Sequence, residues 1–161
     1  MNCSLLLRFA YNQISINREG GGALEKFEIE STRSTPYVLL DPKSGELRLK
    51  GDSYPEDAAR FFEPILSWVK EYLQKSKVPL VFHVDLNYIN SSSTKCLLIF
   101  FDILEAAYNT GTKVEVYWHY NEENDVAQEI GEEFKEDYKL PFHFKSYRTE
   151  DLGNHKTQKA V

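Results

Sequence analysis

The chain has few cysteines, no long apolar run, no concentration of basic residues and no glycine-rich phosphate loop. Cys3 and Cys96 lie far apart, an arrangement that fits a reducing cytoplasm better than a disulfide framework. Cys96 sits in an apolar stretch and reads as a small buried hydrophobe. No run approaches the roughly 20 apolar residues of a membrane-spanning helix. Leu5-Leu6-Leu7 is too short for a secretory core, and no basic segment precedes it. The net charge of −6 comes without clustered Lys or Arg, so neither nucleic acid nor a membrane is the expected partner. No Gly-x-Ser-x-Gly elbow is present either.

The rest of the composition is that of a folded protein. At 161 residues, with 42% hydrophobic and 14% aromatic content, the chain can bury a substantial core as one domain. Gly20-Gly21-Gly22 is a flexible break, and packing is expected to begin near Phe27. The division expected is an extension over 1–33 (disordered or loosely packed), a single domain over 34–152 and a flexible tail over 153–161.

Tyr37 to Leu40 and Glu46 to Lys50 flank Asp41-Pro42-Lys43-Ser44-Gly45 and read as a β-hairpin. Ser53 and Glu56 have capping-box spacing ahead of a helix bearing Ala58, Phe61, Phe62, Ile65, Val69, Tyr72 and Leu73, with Pro64 inside it. Phe82, Val84, Leu86 and Tyr88 alternate with polar residues as a strand, and Leu97, Phe101, Leu104 and Tyr108 follow with helical spacing. Between strand and helix lies Asn90-Ser91-Ser92-Ser93-Thr94, whose side-chain oxygens suit a helix N-cap. Asn109-Thr110-Gly111 stops that helix. Val114 to Tyr120 is a further strand, Asn121 to Asn124 cap a helix with Val126, Ile130 and Phe134 inward, and Phe142 to Lys145 is the last strand. Polar residues recur on one strand parity, so helices are expected to cover one sheet face only. The fold class is therefore α/β, a two-layer mixed sheet of about five strands with helices mainly on one side.

The ordered motifs Thr35-Pro36-Tyr37, Gly51-Asp52-Ser53-Tyr54-Pro55-Glu56, Leu86-Asn87-Tyr88-Ile89-Asn90-Ser91-Ser92-Ser93 and Trp118-His119-Tyr120 carry a family likeness. From Ser34 to Lys145 the chain resembles the SiaC family of bacterial regulatory phosphoproteins, which is similar in fold to STAS domains of the anti-sigma-factor-antagonist type. The resemblance implies a STAS-like domain and a non-catalytic partner switch. A cognate serine/threonine kinase phosphorylates the turn, a PP2C-type phosphatase reverses this, and the unmodified form binds and activates a diguanylate cyclase. It implies no cofactor and no metal, and leaves the oligomeric state open. Position implies Ser91 as acceptor, with Ser92 as the alternative, because the family motif carries Thr where this chain has Ser91. Antagonists of the anti-sigma type have Asp-Ser followed by Ser or Thr and Gly; Asn90 and the missing Gly favour a SiaC-like role. The implied partner surface comprises Asn90, Ser92, Ser93 and Lys95, framed by Asp52, Ser53 and Tyr54.

Three other readings stay open. The hydroxyls from Ser91 to Thr94 can simply cap the helix. The stretch from Cys96 to Leu104, with Asp102 its one charge, is either a buried helix or a protein-binding patch at Ile99, Phe100 or Ile103. His83, Asp85, His119 and His143 share a strand parity, so a small enzyme or metal-binding protein on the polar sheet face, or an enzyme using the serine turn, is the alternative.

Overall fold

Each strand of a sheet packed on one side can bury only alternate residues, and that alternation organises this molecule. The computed structural model describes residues 23–153. Six strands form one sheet in sequence order: β1 (Phe27–Ile29), β2 (Tyr37–Asp41), β3 (Glu46–Ser53), β4 (Leu80–Ile89), β5 (Val114–Asn121) and β6 (Phe142–Tyr147). The first two pairings are antiparallel, and β3 to β6 run parallel. Helices α1 (Ala58–Lys75), α2 (Ser91–Asn109) and α3 (Asp125–Asp137) connect the parallel strands, and a short α4 (Thr149–Gly153) follows β6.

Every parallel step moves the same way across the sheet, so right-handed crossovers stack the three linking helices on one face. Burial agrees. Val38, Leu40, Leu47, Leu49, Phe82, Val84, Val116 and Trp118 join Phe62, Val69, Phe100 and Leu104 of the helices in one core. The opposite parity, including Arg48, His83, Tyr117 and His119, is only partly covered. The expected two-layer mixed sheet is present, with six strands rather than about five. The additional strand, β1, falls within the segment assigned to the extension and pairs with β2 through Phe27, Glu28 and Ile29. Three residues are too few for alternation to announce a strand. Leu5-Leu6-Leu7, Gly20-Gly21-Gly22 and the tail after Gly153 lie outside the described residues, as does Cys3; Cys96 is a buried free thiol.

The helices depart from expectation in two places. The capping box at Ser53 does not form: Asp57 caps α1, accepting from the Arg60 N–H at 3.0 Å, because Ser53 is the last residue of β3. On α3 the inward residues are Ala127, Gly131 and Phe134, while Val126 is 61% exposed. Small residues carry this contact because the helix backbone lies against an indole. A Cβ on Gly131 would stand 2.6 Å from the Trp118 ring, whose N–H donates to the Ala127 carbonyl at 2.9 Å. On α2 the buried-helix reading holds over the binding patch: Phe100 and Ile103 are buried, and Ile99 is half-buried. The helix is apolar nearly all round because it lies between the sheet and its helical neighbours. Phe101 meets Phe134 of α3 with ring centroids 4.8 Å apart, and α1 packs alongside.

Candidate functional site

The parallel strands deliver the starts of α2 and α3 to one end of the sheet, the carboxyl end, where open α/β folds place ligands and partners. At the end of β4 the chain turns at Asn90, whose backbone stays extended. Its side-chain oxygen accepts from the Ser93 N–H at 2.9 Å, and its carbonyl accepts from the Thr94 N–H and hydroxyl at 2.9 and 3.0 Å. This turn is fastened to the neighbouring strand. The Asn90 N–H donates to the Ser53 carbonyl at 3.0 Å, and the Ser53 hydroxyl donates to that of Ser93 at 2.9 Å. Both serines are 0% exposed. A register shift between Gly51 and Asp52, with Gly51 at φ +115°, sets Ser53 opposite Ile89.

The three consecutive serines therefore differ in kind. Ser93 is sealed inside, whereas Ser91 and Ser92 are exposed as the first two residues of α2. Their backbone N–H groups have no partner within the helix, so this surface carries the positive end of the helix dipole. Lys95 is exposed one turn further along. Of the residues expected to meet a partner, Asn90, Ser92, Lys95, Asp52 and Tyr54 retain exposed surface. Ser53 and Ser93 do not; as buried groups they hold the turn and offer no surface to another protein.

The structure adds residues that the strand pattern assigned elsewhere. Tyr88 has the parity of the core residues Phe82, Val84 and Leu86, yet it is 56% exposed. It lies edge-on to Tyr54, with ring centroids 5.6 Å apart and planes at 73°. Asn124 caps α3, accepting from the Ala127 N–H at 3.1 Å, and its amide donates to the Asn87 carbonyl at 2.9 Å, tying the start of α3 to the end of β4. A shallow cavity of about 60 Å³ opens between these two elements, with Tyr88 and Val126 in its lining.

On the open face the polar residues pair off. The His83 and His119 rings share a hydrogen bond, Nδ1 to Nε2, at 3.0 Å. Burial holds both below the ordinary imidazole range, with Arg48 adding to the effect at each ring and the partner histidine adding at His119. Asp85 accepts from the Tyr147 hydroxyl at 2.9 Å and lies 3.5 Å from the Lys50 ammonium. Burial and this carboxylate push the Tyr147 hydroxyl up to about 12. His143 stands beside Glu115 at 3.6 Å and stacks on Tyr117. The four candidate ligands thus fall into three separate contacts, one of them shared by His83 and His119. Among the described residues no group of three or more His, Cys, Asp or Glu side chains could hold a metal. Within the same residues no hydrogen bond connects Ser91 to a histidine, and no helix is long and apolar enough to cross a membrane.

Comparison with known proteins bears on the same residues. The profile of the SiaC family of regulatory phosphoproteins matches residues 29–147. An uncharacterised protein of Pseudomonas aeruginosa strain UCBPP-PA14 is 37% identical over 119 residues, which is 74% of this chain and 94% of that protein. The crystal structure of apo-SiaC from Pseudomonas aeruginosa superposes with a TM-score of 0.71 at 37% identity, covering 74% of this chain and 98% of that one. The structure of the diguanylate cyclase SiaD in complex with its activator SiaC, from the same organism, matches with a TM-score of 0.73 at 36% identity, covering 75% and 99%.

Proposed function

The chain belongs to the SiaC family of regulatory phosphoproteins, and on that premise we propose that it is a non-catalytic partner switch of the cytoplasm. In this reading Ser91, with Ser92 as the alternative, is phosphorylated by a cognate serine/threonine kinase and restored by a PP2C-type phosphatase. The unmodified form binds and activates a diguanylate cyclase. One observation supports the reading above others. Two hydroxyls stand in solvent on a helix N-terminus whose packing is secured by a third, buried serine. A phosphate there takes nothing from the core.

The sign of the switch follows from relative magnitudes. A phosphoserine adds about −1.5 to −2 charge. Free N–H groups and the helix dipole stabilise that charge by about 0.3–1 kcal/mol while it stays hydrated. Closing a partner over it removes the water, and the effective penalty is several kcal/mol per ion. A charge tolerated by the isolated protein is therefore costly in the complex. Phosphorylation releases the partner without unfolding the regulator.

The test is phosphate incorporation by the kinase of the same genome, read by intact mass and peptide mapping, together with binding to purified diguanylate cyclases of that genome. Ser91→Ala is expected to abolish incorporation, and Ser91→Asp to weaken cyclase binding. Phosphate retained at Ser92 in the Ala variant moves the acceptor by one residue. Failure of the unmodified protein to bind or activate any cyclase rejects the switch.

A further inference from the structure

Among the described residues the two most exposed large hydrophobic side chains, Val126 at 61% and Tyr88 at 56%, flank the same hollow. Its floor is built from Leu86, Trp118, Ala127 and Ile130, and Ile89 of its lining lies two residues before Ser91. The volume of about 60 Å³ is several times what one water needs, which is room for an aliphatic side chain. The other exposed hydrophobes, Val78 and Tyr108, lie near the start of β4 and the end of α2, at the opposite end of the sheet.

Carboxylates neighbour the lining residues along the chain and across the strand pair: exposed Asp125 precedes Val126, exposed Glu129 precedes Ile130, and Asp52 pairs in register with Tyr88. By contrast, Glu122 nearby is held by Arg148 at 2.5 Å. An apolar hollow edged by carboxylates is complementary to an aliphatic anchor carried between basic residues.

Building on the reading above, we propose that this hollow is the docking site of the cyclase, and that it receives one aliphatic side chain of a cyclase segment flanked by Lys or Arg. The exposed pairs such a segment makes with Asp52, Asp125 and Glu129 remain hydrated and weak. A phosphate on Ser91, two residues beyond Ile89 of the lining, would be covered by the docked segment, and the loss of its water outweighs the added attraction.

The test uses the full chain and the cyclase shown to bind it, with affinities measured by titration calorimetry. Val126→Glu and Tyr88→Ala change exposed side chains and are expected to weaken binding by about tenfold or more. Val78→Glu, at the opposite end, is expected to leave it unchanged. Glu129→Lys is expected to weaken binding and to reduce its dependence on salt between about 50 and 500 mM. Circular dichroism and urea midpoints establish that each variant is folded. If no cyclase binds the wild-type chain, the switch reading itself fails. If the wild type binds and Val126→Glu and Tyr88→Ala bind equally well, the hollow is rejected while the switch stands. A wild-type dimer that Val126→Glu dissociates without loss of cyclase binding makes the hollow a contact between copies, and also overturns the proposal.

Discussion

Replacing Ser93 by Ala leaves the buried Ser53 hydroxyl without the acceptor it has at 2.9 Å. Both side chains are 0% exposed, so water does not take the empty place without rearrangement. A buried donor deprived of its partner costs about 1–3 kcal/mol, and Ser53→Ala should cost a similar amount by exposing the same imbalance from the other side. The double variant removes both polar groups, leaves no orphan, and should cost much less than the sum. The coupling energy expected is about 1–2 kcal/mol. With a urea m-value of about 1–3 kcal/mol/M, a single substitution lowers the unfolding midpoint by about 1 M. Ser91→Ala and Ser92→Ala, on exposed side chains of the same turn, should stay within about 0.5 kcal/mol of wild type. Urea titrations of the five variants and the wild type decide the matter. Additivity of Ser53→Ala and Ser93→Ala, or a cost at Ser91 equal to that at Ser93, refutes the division of the turn into a buried fastening and an exposed acceptor.

Asn90→Ala and Asp57→Ala should each cost about 1 kcal/mol as lost N-caps, while Glu56→Ala should be close to neutral because no capping box forms there; urea midpoints distinguish these. Gly131→Ala should destabilise by about 1–3 kcal/mol despite the better helix propensity of Ala, since the added methyl meets the Trp118 ring at 2.6 Å; thermal unfolding measures it. His83 and His119 are held below their ordinary values in the folded protein, so the unfolded chain takes up protons first as pH falls. Their stability contribution is complete above the unfolded value of about 6.5 and declines as pH drops through it toward the folded values. His119→Gln should flatten the fall in urea midpoint between about pH 7.5 and pH 5, and an unchanged slope contradicts the assignment.

Local pattern alone determined most of the architecture. Alternation located β3 to β6, a short apolar run closed by the turn at Asp41 to Gly45 located β2, and the polar parity of His83, Asp85, Glu115 and His119 announced a sheet covered on one side. Asn90 and its hydroxyls marked a strand-to-helix turn because capping is a local bond between neighbours in sequence. What the sequence left open depended on partners far along the chain. Ser91, Ser92 and Ser93 are the same residue in the written sequence. Only the approach of Ser53, 40 residues earlier, makes one of them interior and leaves the others in water. Val126 and Ala127 exchanged roles for a comparable reason. Hydrophobicity favours burying the valine, but the indole of Trp118 requires a helix surface as flat as Ala127 and Gly131 provide. Periodicity reports which residues can share a face. Which face is buried, and how closely, is decided by the volume of whatever packs against it.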